Sequence, residues 1–183
     1  MPPDDKETKT MVRQDGTYPS LPLKKDTIGV AIAQTRVNGV DGKNPAKDIK
    51  HNLAYKLVCI DIAPGYGGKS EHICFHEFPI VGFSNWSREE HYNIAIDVPG
   101  PETEEIGKKC QDYGCYIVFG TYAKDPDWPD HILHLMVLMD PDGNVVEKHW
   151  KQRNVRGLFP GSEQYTSAIY DVYDRFIEMY GED

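Results

Sequence analysis

The sequence predicts an α/β domain with a mixed sheet, and three observations support this class. Short runs of β-forming residues are interspersed with segments of helical periodicity, as in layered α/β proteins. The turn sequence PDG at 141–143 joins two adjacent strand patterns as a hairpin, so the sheet is not simply doubly wound. The chain has 183 residues, 39% of them hydrophobic and 27% charged, which is ordinary for a globular domain with a buried core.

Residues 1–24 are expected to form a flexible N-terminal arm, followed by one domain over 25–183. The arm is rich in charges, poor in apolar residues and contains four prolines. Such a composition does not compensate for the entropy lost on ordering. The domain begins with a β-branched run at 26–34 that predicts a buried strand.

A helix is predicted over 45–62, because apolar residues recur there every three or four positions. Its expected buried stripe is Ile49, Leu53, Leu57 and Ile60. The segment PGYGG at 64–68 is expected to end this helix.

The rest of the chain contains a second helix and four further strand patterns. Strands are predicted at 72–78, 115–122, 132–139 and 144–151. The second helix, 101–113, begins at Pro101 after a glycine and is expected to end at Gly114 in the left-handed conformation. A last helix is predicted from about 169 to 180. Helices 45–62 and 101–113 are expected to pack together on one face of the sheet.

Composition and charge exclude several classes of function. A net charge of −9 argues against binding nucleic acid, which needs a basic surface. No apolar run is long enough for a membrane span, and the first residues do not resemble a signal peptide. Four cysteines are too few for a disulfide scaffold, so we expect reduced thiols and a cytoplasmic location.

Two charged residues stand out as candidates for a site. Glu77 ends an apolar strand pattern, and a carboxylate there is either solvated or part of a site at the strand's carboxyl end. Lys151 follows the hairpin and, taken alone, is an ordinary surface lysine. His72 and His76 share a strand face, but no metal-binding spacing accompanies them, so no metal site is predicted.

Four segments, taken in order, resemble the nitrilase, or carbon–nitrogen hydrolase, superfamily. They are IGVAIAQT, FHEFPIVGF with Glu77, VPGPETEEIGKKCQDYGCYIVFGTY, and MVLMDPDGNVVEKHWKQR with Lys151. The resemblance covers residues from about 26 to 153. It implies the N-terminal portion of the αββα sandwich of that family, with the mixed sheet carrying helices on one face.

The resemblance also implies an activity, namely hydrolysis of carbon–nitrogen bonds other than peptide bonds by a Glu-Lys-Cys mechanism. Glu77 is then the catalytic base and Lys151 stabilises the oxyanion. Phe83, Trp86 and Tyr92 are candidate pocket residues, although they equally suit a purely structural role. The expected substrate is a small amide or carbamoyl compound, with no cofactor, no nucleic acid and no membrane. The complete protein is expected to be a homo-oligomer.

The sequence departs from the family pattern after Lys151. The family's nucleophilic cysteine lies beyond the lysine, whereas all four cysteines here precede it. A second glutamate of several family branches has no clear counterpart in QRNVRGLFPG. We therefore expect a domain truncated before the nucleophile strand, inactive by itself, with an exposed sheet edge. The alternatives are a non-catalytic nitrilase-like scaffold or binding protein, and an unrelated α/β domain.

The catalytic interpretation makes a geometric prediction. Glu77 and Lys151 should converge at one rim of the sheet, within about 4 Å or slightly more through a water molecule. A separation well beyond about 10 Å would exclude it, because one tetrahedral centre could not contact both side chains.

Overall fold

The computed structural model describes residues 26–154 and 166–181. The predicted arm at 1–24 lies outside the described residues, as does most of the segment compared above with the second glutamate. The described residues divide into two units, one within 29–172 and a smaller one of 26–28 with 173–181. The larger unit contains the sheet, and the smaller unit contains one described helix.

The described residues contain seven strands and four α-helices. The strands are β1 (Val30–Ala33), β2 (His72–Phe75), β3 (Ile96–Asp97), β4 (Tyr116–Lys124), β5 (Ile132–Met139), β6 (Val145–Trp150) and β7 (Thr166–Ser167). The helices are α1 (Ala46–Gly67), α2 (Arg88–Ile94), α3 (Pro101–Tyr113) and, in the smaller unit, α4 (Tyr173–Tyr180). A 3-10 turn occupies Ile169–Asp171.

The seven strands form one sheet, which is mixed as predicted, and it includes two short strands, β3 and β7, that were not predicted. Its main path runs β1-β2-β4-β5-β6. The first three of these strands are parallel, and β5 and β6 continue the sheet antiparallel. Two short strands complete it, β3 pairing in parallel with the far end of β4 and β7 with the start of β5. Every predicted strand is present, although β1 and β2 are shorter than expected.

Two of the predicted helix boundaries are wrong. Pro64 does not end α1, which continues through it to Gly67, because the fixed φ of proline is helical. The lost N–H donor and the clash of the ring with the preceding turn weaken the helix there without ending it. The last helix begins at Tyr173 and not near 169, since the 3-10 turn precedes it. The predicted end of α3 is confirmed, with Gly114 at φ 58° in the left-handed region.

The core lies between the sheet and helices α1 and α3. Ile49 and Ile60 of the predicted stripe are buried and its two leucines are half-buried, so the stripe is confirmed. The two helices contact each other, since Asp61 of α1 accepts hydrogen bonds from Lys109 at 2.6 Å and from Tyr113 at 2.7 Å. Their predicted packing is therefore confirmed.

The prediction that the first strand is buried is wrong, because β1 stands at the end of the main strand path and its apolar side chains are exposed. Ile32 is 82% exposed and Val30 is 53% exposed, on strand positions two apart that share one face. The expectation of exposed apolar surface at a sheet edge is confirmed, and its effect on association stays a prediction. Among the helices in the described ranges, none is long and apolar enough to cross a membrane.

Candidate active site

Glu77 lies just beyond the end of β2, where its main chain passes very close to β4. Gly120 of β4 donates its N–H to the carbonyl of His76 at 3.2 Å. A Cβ on residue 120 would lie 2.3 Å from the carbonyl oxygen of Glu77 and 2.6 Å from its Cα. Only glycine permits this approach, so Gly120 fixes where the backbone of Glu77 runs.

The residues flanking Glu77 are also held by hydrogen bonds. His76 Nδ1 accepts from the N–H of Phe78 at 3.3 Å, so its Nε2 carries the proton and donates to Thr35 Oγ1 at 2.9 Å. Asn52, a buried residue of α1, donates to the carbonyl of Ile80 at 2.8 Å. These hydrogen bonds connect the turn that carries Glu77 to the loop after β1 and to helix α1.

Lys151 lies directly after β6, and its main chain is bonded on both sides. Its N–H donates to the carbonyl of His134 in β5 at 2.9 Å, and its carbonyl accepts from the N–H of Ile169 at 3.1 Å. Three residues later, Asn154 donates to the carbonyl of Thr166 at 2.6 Å and to Asp171 Oδ2 at 2.7 Å. These bonds fix the position from which the lysine side chain extends.

The side chains of Glu77 and Lys151 meet as the geometric prediction required. Lys151 Nζ donates to Glu77 Oε1 at 2.7 Å, across 74 residues of sequence. His134 Nε2 lies 3.0 Å from the same oxygen. The Glu77 side chain is 47% exposed, whereas that of His134 is 7% exposed. A half-exposed carboxylate therefore contacts a buried imidazole.

These contacts keep Glu77 ionised. The hydrogen bond from His134 and, after it, the one from Lys151 lower the pKa of the Glu77 carboxyl to about 2, although partial burial opposes the shift. At neutral pH the group is therefore ionised, which is the state that a general base requires.

A cavity of about 570 Å³ opens beside this pair. Its walls include Glu77, His134, His149, Trp150, Lys151 and Arg153. The Arg153 guanidinium lies 4.4 Å from the centre of the Tyr170 ring. The site thus combines one carboxylate with several cationic or titratable groups around a space large enough for a small molecule.

The three predicted pocket residues are not part of this cavity. Trp86 is buried and donates its indole N–H to the carbonyl of Val40 at 3.1 Å, which is a packing role. The exposed Phe83 contacts Phe78, and the half-buried Tyr92 lies 5.3 Å below the ammonium of Lys124. Aromatic residues in a loop after the glutamate are too common a pattern to locate a pocket.

The four cysteines are free thiols, and none of them lines this cavity. Cys110 and Cys115 are fully buried, and burial raises the pKa of Cys110 to about 12 and that of Cys115 above its usual value. Burial also raises the pKa of the half-buried Cys74 thiol. Thiols in such surroundings are poor sources of thiolate.

His134 is the site residue that the sequence interpretation missed. It is one polar residue inside the apolar strand ILHLMVLM, and a buried imidazole there requires a hydrogen-bond partner. That mismatch was the available signal. The two histidines considered as a metal pair serve other contacts, since His72 stacks on Tyr116 with ring centres 4.9 Å apart and His76 binds Thr35.

Comparison with known proteins identifies the family. The family model for carbon–nitrogen hydrolases matches residues 29–180, most of the chain. The chain therefore belongs to the carbon–nitrogen hydrolase family, whose members hydrolyse carbon–nitrogen bonds.

Particular relatives are amidases. A formamidase of Bacillus cereus strain B4264 is 34% identical over 89 residues, covering 48% of this chain and 25% of the relative. A formamidase of Helicobacter acinonychis strain Sheeba is 28% identical over 120 residues, covering 64% and 33%. The chain spans only a quarter to a third of the length of these curated relatives.

Solved structures show the same fold. The NitFhit protein of C. elegans superposes with a TM-score of 0.58 at 18% identity, covering 76% of this chain and 32% of that one. XC1258 from Xanthomonas campestris, a CN-hydrolase superfamily protein, gives a TM-score of 0.58 at 19% identity, covering 76% and 45%. The predicted fold class, an α/β domain of the nitrilase type, is confirmed.

Proposed function

We propose that this chain carries two of the three catalytic groups of an amide-cleaving carbon–nitrogen hydrolase, Glu77 as the base and Lys151 as the oxyanion-stabilising cation. The observation that supports this proposal most is the 2.7 Å contact between Lys151 Nζ and Glu77 Oε1 at the cavity. The formamidase relatives favour a small amide as substrate, and carbamoyl compounds share the same reacting group.

Glu77 performs the proton transfers. Amide hydrolysis divides into acylation and deacylation when a thiol attacks the carbonyl carbon. The Glu77 carboxylate takes the thiol proton and gives it to the departing amine, which breaks the C–N bond and leaves a thioester. The same carboxylate then takes a proton from water, whose oxygen attacks the thioester carbon. The C–S bond breaks, Glu77 returns the proton to the departing sulfur, and the acid and the free thiol are released. Its ionised state at neutral pH suits the first step.

Lys151 stabilises the tetrahedral intermediate. Its ammonium has three N–H donors, and one of them binds Glu77, so two remain for the negative oxygen of the substrate. A preorganised donor of this kind lowers the barrier by about 3 kcal/mol.

We propose that the nucleophilic cysteine lies outside these 183 residues. The burial and raised thiol pKa of Cys110 and Cys115 support this view, as does the position of all four cysteines away from the cavity walls. The complete catalytic domain would then bring a further strand to the rim that carries Glu77. The proposal includes a cytoplasmic, homo-oligomeric complete protein and a chain that is inactive by itself.

Ammonia release from a panel of small amides, with formamide included, tests the proposal. The 183-residue chain and the product of the complete reading frame that contains it are assayed in parallel. We expect release from the complete product only, and its loss in Glu77→Gln and Lys151→Met variants. A Cys110→Ser variant is the matched control and should retain activity.

Two other outcomes would contradict the proposal. Turnover by the 183-residue chain that Glu77→Gln abolishes would show that a residue within the chain, or a water molecule, is the nucleophile. A folded complete product without activity on any amide would instead favour the non-catalytic scaffold.

A further inference from the structure

His134 occupies an unusual place for an ionisable side chain. It lies in the strand β5, whose other residues are apolar, and its side chain is 7% exposed. A polar group in such a position costs free energy unless it is hydrogen-bonded. The partner of His134 is a carboxylate that is half exposed to the cavity, so the bond links the core to the site.

The imidazole ring of His134 has a fixed orientation. Its centre lies 5.1 Å from the ring of Phe78 and 5.1 Å from the ring of Tyr122. Both neighbours are buried aromatic residues, so the ring plane cannot rotate without disturbing the core. The direction in which Nε2 donates is therefore set by packing.

His134 holds both proposed catalytic residues at once. Its side chain contacts Glu77 Oε1 at 3.0 Å, and its main-chain carbonyl accepts the N–H of Lys151 at 2.9 Å. Two independent contacts of one residue thus set the relative position of a base and a cation that are 74 residues apart in sequence.

The contacts on Glu77 also leave room for its chemistry. The donors of His134 and Lys151 both meet Oε1, so a proton can move to or from Oε2 without breaking either hydrogen bond. Once Glu77 is protonated, two donors still point at its carboxyl group, which favours return of the proton to a leaving amine. The arrangement suits a group that must accept a proton and then release it.

We propose that His134 is a positioning residue of this site, which orients the Glu77 carboxylate through its side chain and Lys151 through its main chain. The inference rests on the proposed amide hydrolysis for its catalytic consequence, but the effect on Glu77 itself does not depend on that function.

The titratable groups around His134 enter any pH measurement. Glu77 and Lys151 face it at the cavity, Tyr122 packs against its ring, and the His91 ring lies edge-on to Tyr122 at 4.3 Å. The carboxylate of Glu77 is the group to monitor, because it accepts the hydrogen bond directly.

Three substitutions distinguish the effect of the His134 N–H donor from the effect of its aromatic packing. His134→Phe keeps the aromatic packing and removes the donor, His134→Gln keeps a neutral N–H donor at similar reach, and His134→Asn keeps polarity but is too short. His72→Phe is the matched control, because His72 is also a strand histidine stacked on an aromatic ring, that of Tyr116.

The first measurement is a titration of the 183-residue chain labelled with carboxyl-¹³C glutamate. The Glu77 signal is the one absent from the Glu77→Gln chain. We expect the apparent pKa of Glu77 to rise by about 1 pH unit or more in the Phe and Asn variants, and to change little in the Gln variant and the His72→Phe control. A wild-type value in both the Phe and Asn variants would overturn the proposal. The Asn and Gln variants decide the matter if the Phe variant does not fold.

The second measurement uses the complete protein with an amide substrate. We expect kcat to fall roughly 10-fold to 100-fold in His134→Phe, with the acid limb of the pH profile moved upward and KM little changed. His134→Gln should recover most of the activity at a wild-type pH profile. An unaltered kcat and profile in His134→Phe would overturn the catalytic consequence. An inactive wild type contradicts the proposed function, whereas the titration then still decides whether His134 orients Glu77.

Discussion

Two carboxylate–lysine pairs lie near the end of the same hairpin, with nearly the same N–O distance but in contrasting surroundings. Lys148 of β6 donates to Asp125 at 2.6 Å, and Lys151 donates to Glu77 at 2.7 Å. The Asp125 side chain is only 9% exposed and also accepts the N–H of Asp127 at 3.0 Å, as in a turn. Glu77 is 47% exposed, contacts a buried imidazole and faces a cavity.

The comparison shows that ion-pair distance alone does not identify a site. The Asp125 carboxylate is largely buried and bonded to its own turn, so little of it is open to a ligand. The Glu77 carboxylate contacts the buried His134 on one side and is open to the cavity on the other. Perturbed ionisable groups in clefts are candidates for function for this reason. If the surroundings decide the role of each pair, substitutions in the two pairs should have different effects.

The largest difference is expected for removal of the two lysines. Lys151→Met should lower kcat of the complete protein by about 10²- to 10³-fold, because the oxyanion loses its donor. Lys148→Met should leave kcat within about 3-fold but lower the free energy of unfolding by roughly 1–3 kcal/mol, since buried Asp125 loses a partner. Steady-state kinetics and urea unfolding check the two effects. Equal losses of kcat would remove the distinction between the pairs.

A substitution at Gly120, whose backbone contacts that of Glu77, should have the next largest effect. Gly120→Ala places a Cβ 2.3 Å from the Glu77 carbonyl oxygen, so the turn must move and the chain should lose about 3 kcal/mol of stability. Gly39→Ala is the control, because a Cβ at residue 39 meets no other atom within 4 Å. Thermal unfolding of both variants measures the difference. A Gly120→Ala chain as stable as the control would mean that the close approach does not position Glu77.

The strands and the hairpin were predictable from sequence because their signals are local. The β-branched runs and the turn at 141–143 place β4, β5 and β6 almost residue by residue. Helix α2 was missed, although Ser87 and Glu90 form a capping box whose sequence signature was available. A seven-residue helix of mostly charged and polar residues has too little apolar periodicity to compete with a loop.

The site was predictable only in part. The resemblance supplied Glu77 and Lys151 but not His134. The position of His134 in an apolar strand indicated that it needs a hydrogen-bond partner, but not that this partner is Glu77. The buried Lys56 of α1 was missed for a similar reason, since its ammonium donates to the carbonyl of Arg36, a loop residue that no helical pattern specifies. Polar residues whose partners are distant main-chain atoms cannot be located from periodicity.

Glu77 should make its own contribution to the pH dependence of the free energy of unfolding at acid pH. The Glu77 pKa is about 2 in the folded chain against an ordinary value of 4.5, so its contribution to stability is complete above pH 4.5 and is lost as the pH falls through 2. We expect the free energy of unfolding of the Glu77→Gln chain to vary less with pH in this window than that of the wild type. Identical pH dependence in both chains would contradict the contacts described at Oε1.

The smallest effect should come from His91, which responds in a different pH range. Burial is the main cause that lowers the pKa of the His91 imidazole to about 4 from an ordinary 6.5. The neutral ring therefore contributes stability that is complete above pH 6.5 and is lost as the pH falls through 4. His91→Gln should flatten the pH dependence of unfolding between these values and leave the lower window to Glu77. If His91→Gln instead flattened the range below pH 4, the acid sensitivity attributed to Glu77 would belong to another group, and the contrast between the two carboxylates would lose its support.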